Sequence, residues 1–136
     1  MREQTETVFS ALADTMGAEH VLTDEKSLAL FSADLFYEGT PPAAVISPGT
    51  TNQLAGAIKA ITGAGLSVVP RGGGLSYSAG YVTDQSDVVM IDTRRLNRIL
   101  EINEDDMYVT VECGCTWAAL NDALKEKGLR TPYYAD

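Results

Sequence analysis

A chain of 136 residues, 45% apolar and 21% charged, has the size and composition of one soluble globular domain with a real core. Its formal net charge of −9, from 19 acidic against 10 basic residues, argues against a nucleic-acid partner and against an anionic membrane surface, both of which call for a basic face. No run approaches the roughly 20 apolar residues that span a bilayer. The first twenty residues lack the apolar core of a signal peptide, and Cys113 and Cys115 are too few for a disulfide framework. The expected setting is the cytoplasm, or the cytoplasmic side of a larger complex.

In chain order, Val8, Phe9, Leu12, Ala13 and Met16 recur at helical spacing and predict an amphipathic helix ended by Gly17. Asp24 is placed to cap a short helix reaching Phe31. The proline-rich "EGTPPAAVISP" leads into a short strand, Ala44 to Ile46. Thr50, with Gln53 three residues on, forms a capping-box signature for a helix whose Leu54, Ile58 and Ile61 share a face. Gly63 and Gly65 end that helix, and "LSVVP" follows as a buried strand, so residues 44 to 70 read as a β-α-β unit of parallel-sheet type.

After a glycine-rich loop, "DVVMID" predicts another buried strand. "TRRLNRILEIN" is a turn and a strand, Glu104 to Asp106 a polar turn, and "YVTVECG" an alternating strand, so the last two strands form a hairpin. Thr116 caps a final helix with an apolar face of Ala119, Leu120, Ala123 and Leu124, stopped by Gly128. The expected fold is α+β: a small mixed sheet with a β-α-β unit and flanking helices.

The loop "VVPRGGGLSYSAGY" carries most of the chemistry. A mobile connector rarely needs three adjacent glycines together with Ser76, Ser78 and Gly80. A Rossmann fingerprint requires its last glycine to open a helix, and here a strand comes next. A Walker loop requires a lysine followed by Ser or Thr, and none is present. The remaining reading is an anion nest, in which successive backbone N–H groups converge on a diphosphate, Ser76 and Ser78 add hydroxyls and Arg71 offers a charge. Arg71 has a second reading, pairing with a nearby acid.

This loop resembles the pyrophosphate-binding loop of flavin-linked oxidases with the vanillyl-alcohol-oxidase or p-cresol-methylhydroxylase (PCMH) type of FAD-binding domain, nearest the glycolate oxidase and D-lactate dehydrogenase group. The segments "PPAAVISPGTTNQLAGAIKAITGAGLSVVPRGGG" and "VVMIDTRRLNRILEINEDDMYVTVECGCTWAALNDALKEKGL" resemble the same domain in the same order. The similarity covers about residues 42 to 132.

The resemblance implies that the FAD pyrophosphate is held by Arg71, Gly72, Gly73, Gly74, Leu75 and Ser76, with Ser78, Ala79 and Gly80 closing the loop. Leu75 stands where covalently flavinylated relatives carry histidine, which implies non-covalent FAD. The family continues into a second FAD subdomain and a substrate domain. The expected organisation is therefore an N-terminal helical segment, 1–40, followed by the first half of an FAD-binding domain, 41–136, apparently truncated.

Other residues invite chemistry less strongly. Cys113 and Cys115 fall on one side of the predicted strand and read as small buried thiols; Cys115, just before a helix start, keeps a minor reading as a reactive thiol. With His20 the sole histidine, no metal site is expected. Trp117 reads as core packing, with flavin stacking as the lesser alternative. Tyr77 and Tyr81 either touch the cofactor or pack, and Tyr133 and Tyr134 carry no assignable role. No residue has the pairing of a general base.

Two functions follow. One is the FAD-binding part of an oxidoreductase that takes a hydride from a small 2-hydroxy acid. The other is a non-catalytic module that binds flavin only with a partner half. The surface left by the missing half would then invite self-association or a complementary chain.

Overall fold

The computed structural model describes residues 2–132. Four strands form a mixed sheet in the order β1-β2-β4-β3, built from Val21–Leu22, Ala44–Ile46, Val88–Asp92 and Ser67–Arg71 respectively. Strands β2, β4 and β3 run parallel, and β1 pairs antiparallel to β2. Helices α1 (Arg2–Met16), α2 (Glu25–Leu30) and α3 (Thr51–Gly63) cover this sheet. The expected α+β architecture is what the chain adopts.

The anticipated β-α-β unit exists as β2, α3 and β3, but its two strands are not neighbours. β4 lies between them, with Val89 aligned to both Ala44 and Val68. Pro70 supplies a reason: lacking an N–H, it suits an edge strand. The apolar run of β4, buried at all five positions, suits a centre covered on both faces.

Alternation along the strands sorts side chains onto two faces. Ala44, Ile46, Val89 and Ile91 meet Phe9, Leu12 and Met16 of α1 and Ala57 and Ile61 of α3. Val45 and Met90 point the other way, onto Leu28 of α2 and Tyr81, with Phe31 and Val69 packed alongside. The second face is thus closed partly by residues that flank the glycine loop.

Local signals hold at the helix starts. Asp24, Thr50 and Thr116 each accept the N–H three residues on, from Ser27, Gln53 and Ala119. The Gln53 side chain reaches back to the N–H of Gly49, one residue before the cap, and donates to the Thr15 carbonyl at the end of α1. The buried stripe of α3 is Ala57 and Ile61, with Leu54 half-buried. Ile58 lies at the open side, 36% exposed, which corrects the face read from spacing.

The hairpin of β5 (Ile99–Asn103) and β6 (Tyr108–Val111) forms a separate two-stranded sheet, followed by α4 (Trp117–Glu126). On α4, Leu120, Asn121 and Leu124 are buried while Ala119 is exposed and Ala123 half-buried. Asn121 tolerates burial because its amide donates to the Trp117 carbonyl and its oxygen accepts from Thr131. Tyr133 and Tyr134 lie outside the described residues.

Candidate cofactor site

The carboxyl ends of β2, β4 and β3 converge on one side of the sheet, where ligands of open α/β sheets bind. Gly72 follows the last residue of β3, Arg71, which is aligned with Asp92 at the end of β4. A 3₁₀ turn at Thr93–Arg95 follows β4, and the Thr93 hydroxyl donates to the Arg71 carbonyl at 3.3 Å. The loop is therefore anchored at its root.

The nine residues assigned to the pyrophosphate divide into two limbs. Among the described residues, no backbone N–H from Gly73 to Tyr77 has an acceptor, so five successive donors remain available. The downstream limb is engaged internally. Ser76 Oγ accepts the N–H groups of Ser78 at 3.4 Å and Gly80 at 3.0 Å, and Asp34 Oδ2 accepts that of Ala79 at 3.0 Å. Ala79 sits at φ 55°, a left-handed backbone uncommon for a residue with a side chain. Tyr81 is 6% exposed, and its hydroxyl donates to the Gly74 carbonyl at 2.7 Å. Tyr77 is 64% exposed and lies against Phe36, ring centroids 5.9 Å apart.

Arg71 turns inward, behind the loop. Its guanidinium carbon lies 4.9 Å from the Phe31 ring centroid and 5.1 Å from that of Tyr81, a cation–π arrangement on two rings. Its Nε and one terminal nitrogen are buried with no hydrogen-bond partner. Among the described residues no carboxylate forms an ion pair with it, so the acid-pairing alternative does not hold. Gly74, at φ +82°, rests on this guanidinium, and a Cβ there would overlap it. A Cβ on Gly73 would meet nothing within 4 Å.

A cleft of about 680 Å³ opens between the loop and the start of α4, lined by Gly73, Leu75, Arg94, Cys113, Thr116 and Trp117 among others. That volume falls within the range of ligand pockets, roughly 300–1,000 Å³. None of the lining residues is acidic, although the chain as a whole carries −9. The capped N-terminus of α4 adds the positive end of a helix dipole. Arg94 is half-exposed at the cleft and pairs with the buried Asp92 carboxylate at 2.5 Å, which holds its guanidinium above its ordinary pKa.

Several expectations change here. β6 stops at Val111, so Cys113 and Cys115 lie not on a strand but in a turn. Glu112 forms that turn: it accepts from the backbone N–H and guanidinium of Arg98, and the Cys115 N–H donates to its carbonyl. The Arg98 contact holds the Glu112 carboxyl below its usual pKa. Gly114 is pressed against the backbone of Thr93 and Leu96, where a Cβ has no room. Cys113 is consequently exposed and Cys115 half-buried, which overturns the reading of two buried thiols. Trp117, 52% exposed, lines the cleft rather than packing in the core. His20 sits on a 3₁₀ turn before β1 with Nε2 3.5 Å from a Glu19 carboxylate oxygen, outside the cleft lining.

Asp34 was not anticipated. Its Oδ1 accepts the N–H groups of Phe36 and Tyr37, each at 2.8 Å, while Oδ2 takes Ala79. The Phe36 bond, with those from Tyr37 and Ala79 and the Ser76 hydroxyl, holds the carboxyl below its ordinary pKa. The run "ADLFY" signals a local Asx turn, but nothing local announces a contact 45 positions away.

Free N–H donors beside a cleft without acids form a donor set that fits the diphosphate of a dinucleotide, with the buried Arg71 guanidinium adding positive charge from behind the loop. A parallel-stranded core with such a loop at its carboxyl edge defines a dinucleotide-cofactor-binding unit. Residues 42–136 match the family model described as "FAD binding domain", and the chain belongs to that family. FAD is its cofactor.

The chain is 31% identical over 133 residues to the "Uncharacterized FAD-linked oxidoreductase YgcU" of Escherichia coli (strain K12), covering 91% of this chain and 28% of that protein. It is 30% identical over 101 residues to "Glycolate oxidase subunit GlcD" of Bacillus subtilis (strain 168), covering 71% and 21%. Among solved structures it superposes on p-cresol methylhydroxylase with substrate bound at a TM-score of 0.83, covering 95% of this chain and 26% of that one at 20% identity. It matches 4-ethylphenol oxidase from Gulosibacter chungangensis at a TM-score of 0.80, covering 94% and 25% at 28% identity. The fold is that of the PCMH-type FAD-binding domain. The chain spans about a quarter of the length of these relatives. No helix among the described residues is long and apolar enough to cross a membrane.

Proposed function

We propose that this chain forms the diphosphate-holding wall of a non-covalent FAD site in an oxidoreductase that acts on a small 2-hydroxy acid. The observation that carries the reading is the row of five free N–H groups from Gly73 to Tyr77, in a loop whose Gly73 and Leu75 line a cleft with no acidic residue. Bound there, FAD would supply a hydride acceptor. The chain's own part is to bind and orient. Gly73 to Tyr77 donate to the diphosphate, Arg71 supports Gly74 from behind with its positive charge, and Ser76, Ser78, Ala79 and Gly80 keep the loop in shape. Leu75 offers no nucleophile to the flavin, consistent with non-covalent binding. The glycolate oxidase relative supports the substrate class, and two free thiols suit a reducing cytoplasm. No general base is assigned.

Titration of FAD, ADP and FMN into the chain, followed by flavin fluorescence and calorimetry, tests the wall. FAD and ADP should compete for one site while FMN, lacking a diphosphate, should not. Equal binding of FMN would overturn the diphosphate assignment. Acid precipitation of the FAD-loaded protein should release all flavin to the supernatant. Bleaching of the flavin by glycolate or D-lactate under anaerobic conditions tests the substrate class.

The exposure of Leu75, Tyr77 and Trp117 around the cleft favours a second reading, in which the wall holds FAD only when a complementary half covers it. Gel filtration at rising concentration decides: that reading expects self-association and no FAD titration, the first a monomer that saturates with FAD.

A further inference from the structure

We propose that Asp34 is a positioning residue that presets the glycine loop for cofactor capture, fastening the downstream limb so that the upstream N–H groups stay presented. This rests on reading the loop as the diphosphate seat. Asp34 precedes the loop by some forty residues and lines no part of the cleft.

Its carboxylate joins two stretches of chain. Oδ1 closes a turn over its own segment by accepting from Phe36 and Tyr37, and Oδ2 accepts from Ala79 at 3.0 Å. Ser76 completes the knot, its oxygen accepting from Ser78 and Gly80. Ala79 gives an independent reason for a fastening. At φ 55° it occupies a backbone conformation that persists only when its surroundings hold it there, and its N–H is the group Asp34 takes. The neighbouring chain is keyed in at further points. The Tyr81 hydroxyl donates to the Gly74 carbonyl at 2.7 Å and lies 3.3 Å from that of Ala33, Thr40 donates its N–H to the Thr83 carbonyl, and Gly39 meets that carbonyl so closely that a Cβ would overlap it. With backbone donors on both oxygens, Asp34 is not arranged to take a proton from a substrate. Its work is geometric.

The test measures hydrogen–deuterium exchange of the chain without cofactor, and FAD affinity, for wild type, Asp34→Ala, Asp34→Asn and Ser76→Ala. Asp34→Ala should speed exchange at residues 78–80 and weaken FAD by about tenfold each, the effect of losing a hydrogen bond to a charged group. Protection in β2 and β4 should stay at the wild-type level. Asp34→Asn, which keeps one carbonyl oxygen, should fall between, and Asp34→Ala with Ser76→Ala should weaken FAD less than the product of the single effects because both belong to one knot. Wild-type exchange at 78–80 in Asp34→Ala, or faster exchange with unchanged FAD affinity, overturns the positioning role. Loss of β4 protection in Asp34→Ala would make the residue a general fold determinant and overturn it too. A wild-type chain that takes no FAD sinks the seat reading instead, while the exchange result still judges the fastening.

Discussion

The two limbs of the glycine loop are built from similar residues and do opposite things. From Gly73 to Tyr77 the backbone leaves its donors free, whereas from Ser78 to Gly80 each N–H is bound within the protein, by Ser76 or Asp34. A nest cannot present donors to a ligand and also use them to hold itself in shape. In the proposed site this division turns a flexible sequence into a fixed cradle, one limb free to bind because the other is fastened.

The largest effect should come from Gly74→Val, which attacks the upstream limb where it rests on Arg71. The left-handed backbone alone costs a side chain about 1–3 kcal/mol, and the Cβ would displace the Arg71 guanidinium from between Phe31 and Tyr81. FAD binding should become undetectable by fluorescence titration, while the circular dichroism of the sheet and helices stays close to wild type. Retained affinity would break the distinction between seat and support.

Ser76→Ala should act next most strongly, because it frees the Ser78 and Gly80 N–H groups without touching the upstream donors. Loss of hydrogen bonds worth about 1 kcal/mol each should weaken FAD by roughly five- to tenfold, as read by calorimetry. If Ser76 instead served only as a direct phosphate ligand, exchange at Ser78 and Gly80 would not change with the mutation.

How much of this was legible in sequence follows from the range of each contact. The caps at Asp24, Thr50 and Thr116, the individual strands and the hairpin depend on neighbours a few residues apart, and those patterns were readable. The strand order was not, because placing β4 between β2 and β3 depends on which strand tolerates an edge, a matter of Pro70 rather than of periodicity. The glycine run announced a close backbone approach but not its two-limbed division, which depends on Asp34. Cys113 and Trp117 were read inward because alternation and helical spacing were extended past the points where Glu112 ends the strand and the start of α4 lines the cleft.

A milder probe separates the two adjacent glycines. Gly73→Ala puts a methyl where nothing lies within 4 Å and where φ is not left-handed. Thermal stability should therefore hold or rise slightly, by the ~0.4–1 kcal/mol expected when an unstrained glycine is replaced, while FAD affinity falls, because the methyl stands on a residue lining the cleft. A variant that loses stability would mean that Gly73 is part of the support rather than of the seat.

The smallest effect expected is a change in rate at the far wall. Cys113 is exposed and lines the same cleft as Gly73 and Leu75, so iodoacetamide should label it readily in the free chain. Saturating FAD should slow that labelling several-fold, and ADP, with the same diphosphate, should slow it as well if the upstream limb is what holds the ligand beside the Cys113 turn. Cys115, half-buried behind Gly114 and with its thiol directed to the Thr116 carbonyl at 3.7 Å, should react more slowly in either state. Peptide mapping of the labelled protein distinguishes the two thiols. Protection of Cys113 in wild type but not in Gly74→Val would tie the cleft to the upstream limb, and equal labelling with and without FAD would place the cofactor away from this wall.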